Sequence, residues 1–181
     1  MMQRKLLPLT LVLTFFTAAC ASMTDTRTMD NGRGNIDGHI ANIAMVANEG
    51  EAQQGSAAAS RAASADVRAF AQMMVSDHTT ALNAARDVAT RNNIMPEEND
   101  TTRALRSGTP QVIANLDTYR GADYDRRYID YQIALHQWLL NGLDTTLIPQ
   151  ATNAELKSLL QTQRGSVAAH LERARAIRGG L

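Results

Sequence analysis

The chain has 181 residues with 18 basic and 18 acidic side chains, and hydrophobic types make up 44% of it. It holds 29 alanines and eight aromatics, so a single domain of this length builds its core from small side chains. Balanced charge without a basic run excludes nucleic acid as a partner, and a lone cysteine excludes both an internal disulfide framework and a cysteine-based metal site.

Residues 1–19 read as a secretion signal. Arg4 and Lys5 form the charged start, Leu6 to Phe16 the apolar stretch, and Thr17-Ala18-Ala19 the small-residue end. The apolar run is too short to span a bilayer as a helix. Setting these residues aside leaves 162, with 16 basic and 18 acidic side chains, a net charge near −2. Cys20 follows the small residues directly, where lipoprotein signals place the cysteine that is cleaved before and lipidated on its sulfur. The expectation is a lipid anchor at Cys20 that holds the protein to a membrane without a transmembrane segment. An ordinary cleaved signal is the alternative, since Thr17 stands where such signals usually carry Leu. Ala21 in place of Asp fits an outer-membrane lipoprotein facing the periplasm. Residues 20–35, rich in Thr, Asp, Asn and Gly, read as a flexible tether.

The stretch 36–178 reads as one all-α domain, because its apolar spacing is helical throughout and no segment sustains a period of two. A first helix carries Ile36, Ile40, Ile43, Ala47, Gly50, Gln54 and Ala58 on one face, with Asn35 or Asp37 as its cap, and ends near Ala62. Ser64 is a good cap for a second helix, whose stripe is Val67, Phe70, Met74, Ala81, Ala85 and Val88; Asn92-Asn93 and Pro96 stop it. A third long helix runs from Tyr124 through Tyr128, Tyr131, Leu135 and Leu139 to Pro149. The fourth opens on Thr152-Asn153-Ala154-Glu155, which reads as a capping box, and continues through Leu156, Leu159, Val167, Leu171, Ala174 and Ile177.

Short links make helices one and two, and three and four, antiparallel neighbours. The long connection over 93–122 has room for a short helix after Thr109-Pro110 and for carrying the chain back along the bundle. The predicted fold is a ferritin-like four-helix bundle with a long crossover from helix two to helix three. An up-down-up-down bundle with a folded loop at its end is the competing layout.

Glu51, His78 and His136 fall on inward faces of three helices and come out nearly level, given a parallel second and third helix. His170 is also on an apolar face but lies 18 residues beyond Thr152, which displaces it by about 7 Å toward Asp130 and Tyr128. Asp77 and His170 are therefore expected as supporting or additional ligands around the tighter trio. Neutral imidazoles with a carboxylate suit a single Zn, Cu, Fe or Ni ion, and Asp77 could orient a neighbouring ring. The competing reading is of hydrogen-bonded core histidines without a ligand. His39 is placed at the bundle end, and the methionines Met45, Met73 and Met74 read as core filler. Gly50 and Gly165 interrupt helix interiors, either for a close approach or without structural reason.

The stretches Asn48-Glu49-Gly50-Glu51, Asp66 through Met73-Met74-Val75-Ser76-Asp77-His78, Tyr124-Asp125-Arg126-Arg127-Tyr128-Ile129-Asp130 with His136, and Ala169-His170-Leu171-Glu172 resemble the bacterial envelope family called domain of unknown function 4142. The resemblance covers Ile36 to Arg178 and implies a ferritin-like bundle associated with the outer membrane. Ferritin-like di-iron sites use paired Glu-x-x-His motifs, but Val75 and Val167 stand three residues before His78 and His170, so the carboxylate cage is missing. No nucleophile elbow, phosphate loop or His-Glu-x-x-His helix points to catalysis. Two functions are left. One is a bundle that binds a metal ion or small ligand in metal handling or envelope stress. The other is a non-catalytic envelope module whose surface contacts protein partners, with structural histidines. Self-association is left open by the sequence.

Overall fold

The computed structural model describes residues 35–181, so the expected signal, Cys20 and the tether up to residue 34 lie outside the described residues. Regular structure in the described part is entirely helical: α1 Ile36–Arg61, α2 Ala65–Arg91, α3 Asp100–Leu116, α4 Gly121–Gly142 and α5 Ala154–Gly179. A π-helical stretch Leu143–Leu147 and a final turn Ile148–Gln150 extend α4 without a break. The all-α bundle expected from periodicity is the fold observed, with the four long helices α1, α2, α4 and α5.

Hydrogen bonds at the two ends define the directions of the rods. At one end Arg61 pairs with Asp117 at 2.9 Å, and the backbone N–H groups of Ala63 and Ser64 donate to Asp125 in the first turns of α4. At the other end Thr152 and Asn153 donate backbone N–H groups to Asp37 of α1, and Asn153 bonds Asn92 at the close of α2. Both α2 and α4 therefore start at the first end and finish at the second, while α1 and α5 run the opposite way. The crossover returns the chain along the bundle, as expected, and rules out the up-down-up-down layout.

Several local details differ from the sequence reading. Asn35 caps α1 by accepting from Gly38 N–H, which frees Asp37 to tie down the α4–α5 turn. Ser64 makes no side-chain cap for α2. Asp125, 2% exposed, instead ties down the link before α2, accepting from the Ala63 and Ser64 N–H groups at 3.0 Å and 2.7 Å. The cap of α5 is Asn153 and not Thr152, whose hydroxyl turns to Asp37, while Glu155 binds Arg91 and Asn92 in place of closing a capping box. Helix α3 starts ten residues before the Thr109-Pro110 boundary, because Asn99 and Thr102 cap it reciprocally. Pro110 sits within it on an exposed face, where the carbonyl of exposed Arg106 loses its helical donor to water rather than to a buried void. Similarly, Pro149 lacks the N–H that Thr145 would need, and the preceding turn widens so that Ile148 N–H reaches the carbonyl of Leu143.

The core is divided. One apolar cluster gathers Ile40, Ile43, Trp138, Leu139, Leu143 and Leu160, and a second gathers Phe70, Met74, Tyr124, Tyr128, Ile129 and Ile177. Between them, each of the four long helices contributes one buried ionisable side chain at the same depth: Glu51, His78, His136 and His170. A Cβ on Gly55 would meet the Ala71 carbonyl at 2.9 Å, so the absence of a side chain there lets α1 and α2 touch backbone to backbone.

The two glycines singled out in the sequence differ in kind. A Cβ on Gly50 would lie 2.6 Å from the Thr109 hydroxyl of α3, whereas one on Gly165 meets nothing within 4 Å. Gly165→Ala is expected to stabilise the fold by about 0.5–1 kcal/mol through helix propensity. Gly50→Ala should lose about 1 kcal/mol, because displacing α3 outweighs that gain. Urea unfolding of the two variants beside the parent checks both signs. Asp125→Ala, which strips the acceptor from two partly buried backbone donors, should cost about 1–3 kcal/mol in the same assay.

Candidate metal centre

Glu51 sits against two of the three histidines. Its Oε2 lies 3.5 Å from His78 Nε2 and 3.4 Å from His136 Nε2. Ring centroids are 6.1 Å apart for His78 and His136, 5.1 Å for His78 and His170, and 5.5 Å for His136 and His170. His170 is thus a full member of the cluster, not displaced toward Asp130, which pairs with Arg178. The correction comes from the ruler: depth is set by distance from the shared α4–α5 turn, and His136 and His170 stand 16 and 18 residues from Thr152, nearly level with each other.

Each imidazole is held at its outer nitrogen. His78 Nδ1–H donates to Asn48 Oδ1 at 2.8 Å, and Asn48 is itself oriented by donating to the Ala44 carbonyl at 2.7 Å. His136 Nδ1–H donates to the Gln132 carbonyl at 2.8 Å, one helical turn back. His170 Nε2–H donates to Asp77 at 3.0 Å, the orienting role expected of Asp77. Because the Gln132 carbonyl and the Asp77 carboxylate can only accept, and Asn48 presents its oxygen, the inner nitrogens carry lone pairs. Those inner atoms, His78 Nε2, His136 Nε2 and His170 Nδ1, are buried without a hydrogen-bond partner, as is Glu51 Oε2. The three histidines offer ligand atoms that all lie within 4.8 Å of one another.

Burial sets the protonation. It pulls His78 down to about 3, with repulsion from His170 and His136 adding to the effect. It pulls His136 down to about 4 against the opposing bond to the Gln132 carbonyl. Both rings are therefore neutral near pH 7. With no cation nearby to compensate, burial pushes the Glu51 carboxyl up to about 8. Tyr128 is held well above its ordinary value by burial and by the Glu51 charge, so its hydroxyl stays protonated.

A polar layer supports the carboxylate from below. Gln132 Nε2 donates to Gln54 Oε1 at 3.2 Å, and Gln54 Nε2 donates to the Tyr131 hydroxyl at 3.4 Å. Asn48, Gln54 and the Gln132 carbonyl were not assigned roles from the sequence. The spacing that could have identified them is helical: Asn48 and Glu51 are three apart, Gln132 and His136 four apart, so each pair shares a face. His39 stays at the bundle end, beside Glu97.

The donor set suits one ion. Donors bonded to a tetrahedral zinc at ~2.0–2.1 Å lie about 3.3 Å from each other, close to the 3.4 and 3.5 Å separations of Glu51 Oε2 from two imidazole nitrogens. A two-metal cage finds no support, because the buried carboxylates among the described residues are Glu51 and Asp125, and Asp125 binds the α1–α2 link at the far end.

The fold and the cluster define an all-α helical bundle with a buried histidine layer. A family model, described as a domain of unknown function (DUF4142), matches residues 22–177, and the chain belongs to that family. No curated protein and no solved structure matches the chain. No helix among the described residues is long and apolar enough to cross a membrane.

Proposed function

We propose that the bundle binds a single first-row transition-metal ion through His78 Nε2, His136 Nε2, His170 Nδ1 and Glu51, with Asp77, Asn48 and the Gln132 carbonyl orienting the rings. The observation that carries this reading is the convergence of three buried, unpartnered imidazole nitrogens within 4.8 Å of one another, two of them 3.4 and 3.5 Å from an unpartnered carboxylate oxygen of Glu51. Leaving such atoms unpaired in the core is costly, and an ion satisfies all of them at once. Histidines kept for structure would instead be expected to hydrogen-bond at both nitrogens. The outer bonds are the arrangement that fixes tautomer and ring orientation in metal sites.

The leader and Cys20 support placement as a lipoprotein of the outer membrane, the bundle facing the periplasm, where it would serve metal handling or envelope stress. Elemental analysis after exposure to zinc, copper or iron and gel filtration tests the reading. One ion per chain is expected, with loss of binding in His136→Ala. A metal content well below one, with an unchanged melting temperature on chelation, would establish the alternative of an envelope interaction module with structural histidines.

A further inference from the structure

Beside the histidines lies a cavity of about 60 Å³ between α1, α2, α5 and the end of α4. Glu51, His78 and His170 line it together with Leu143, Leu147 and Leu160. At roughly 10–15 Å³ for each water-sized occupant, there is room for about four non-hydrogen atoms. Three of the four donors line this space, so an ion drawn between them would stand at its wall.

Charge narrows the occupant. A divalent ion with three neutral imidazoles and one carboxylate keeps a net charge of +1, next to leucines and without another buried carboxylate within the cluster. The exposed Asp77 carboxylate on the outer side of His170 is screened by solvent, and one negative charge on the ion cancels the excess directly. Phosphate and sulfate bring more negative charge than the ion's net +1. Exposed Asp77 and Ser166 mark the mouth at the α2–α5 seam, which Gln163 spans by donating to the Ala81 carbonyl at 3.3 Å.

Resting on the metal reading above, we propose that the bound ion keeps a coordination position open toward this cavity and takes there a small monoanion of one to three atoms, of the hydroxide and azide class. With four protein donors the anion takes a fifth position, and the centre is a ligand-accepting site able to expand beyond the tetrahedron.

Titration of the cobalt(II)-loaded chain with azide, followed by visible absorption, tests this. A saturable change at one azide per cobalt is expected, with no response to sulfate. Leu160→Phe, which fills the cavity without touching a donor, should weaken azide binding by about tenfold or more at unchanged cobalt content. Should that variant fail to fold, the contrast between azide and sulfate in the parent carries the test. Cobalt bound at one per chain with a spectrum indifferent to azide would overturn the open position while leaving the metal centre standing. Failure to bind cobalt, zinc or copper at all would overturn both.

Discussion

Zinc at about a thousandfold excess over its dissociation constant is expected to raise the stability of the folded chain by about 4 kcal/mol. For a domain of this size that corresponds to a rise in melting temperature of roughly 10 °C. The effect is large because the donors stand preassembled: the folded chain holds the rings by outer hydrogen bonds before any ion arrives, and the unfolded chain presents them singly. Glu51→Gln and His136→Ala should abolish most of the shift. Asp77→Ala and Asn48→Ala, which leave every donor in place but release a ring, should weaken zinc by about 10–100-fold. Thermal melts with zinc and with chelator separate these groups. Equal zinc shifts in the parent and in His136→Ala would mean that binding takes place elsewhere.

In chelator, stability should peak near pH 6.5. The ordinary histidine value is 6.5, while the folded chain holds His78 near 3 and His136 near 4, so between about 4 and 6.5 the unfolded chain binds more protons and stability rises with pH. Glu51 acts with the opposite sign. Its folded value of about 8 exceeds the ordinary 4.5, so the folded chain retains a proton that the unfolded chain has lost, and stability falls as pH rises between those values. Above 6.5 the Glu51 contribution outweighs the fading histidine contribution, and stability falls by about 1 kcal/mol by pH 8. Glu51→Gln should remove that fall. Zinc should reverse it, because binding expels the Glu51 proton and so strengthens with pH up to about 8. Denaturant midpoints from pH 5 to 9 measure all three curves; a fall above 6.5 that persists in Glu51→Gln would assign it to another group.

The long helices were legible because their information is local. The apolar repeat from Ile36 and the Asn92-Asn93 stop placed α1 and the end of α2 within a residue or two, and the 30-residue connection with its short neighbours dictated the crossover. What the sequence hid is what distant segments decide together. Ser64 looks like a side-chain cap in isolation, yet its hydroxyl makes no cap bond and its backbone N–H goes to Asp125, 61 residues away. Thr152 looks like the start of α5 until Asp37 of α1 engages its hydroxyl. Pro110 reads as a boundary, but an exposed face lets α3 run through it. Three of the four cluster members were aligned by counting residues from turns. His170 was misjudged because its 18 residues from Thr152 were compared with a nominal mid-helix depth, whereas His136 itself stands 16 residues from that turn. The choice of outer partner at each ring, on which the lone-pair argument depends, required side-chain geometry.

An anomalous difference map at the zinc edge, from a crystal grown with the ion, tests the centre most directly. It should show one strong peak per chain within about 2.0–2.2 Å of His78 Nε2, His136 Nε2, His170 Nδ1 and a Glu51 oxygen. Peaks confined to surface carboxylates, with the histidine layer empty, would contradict it.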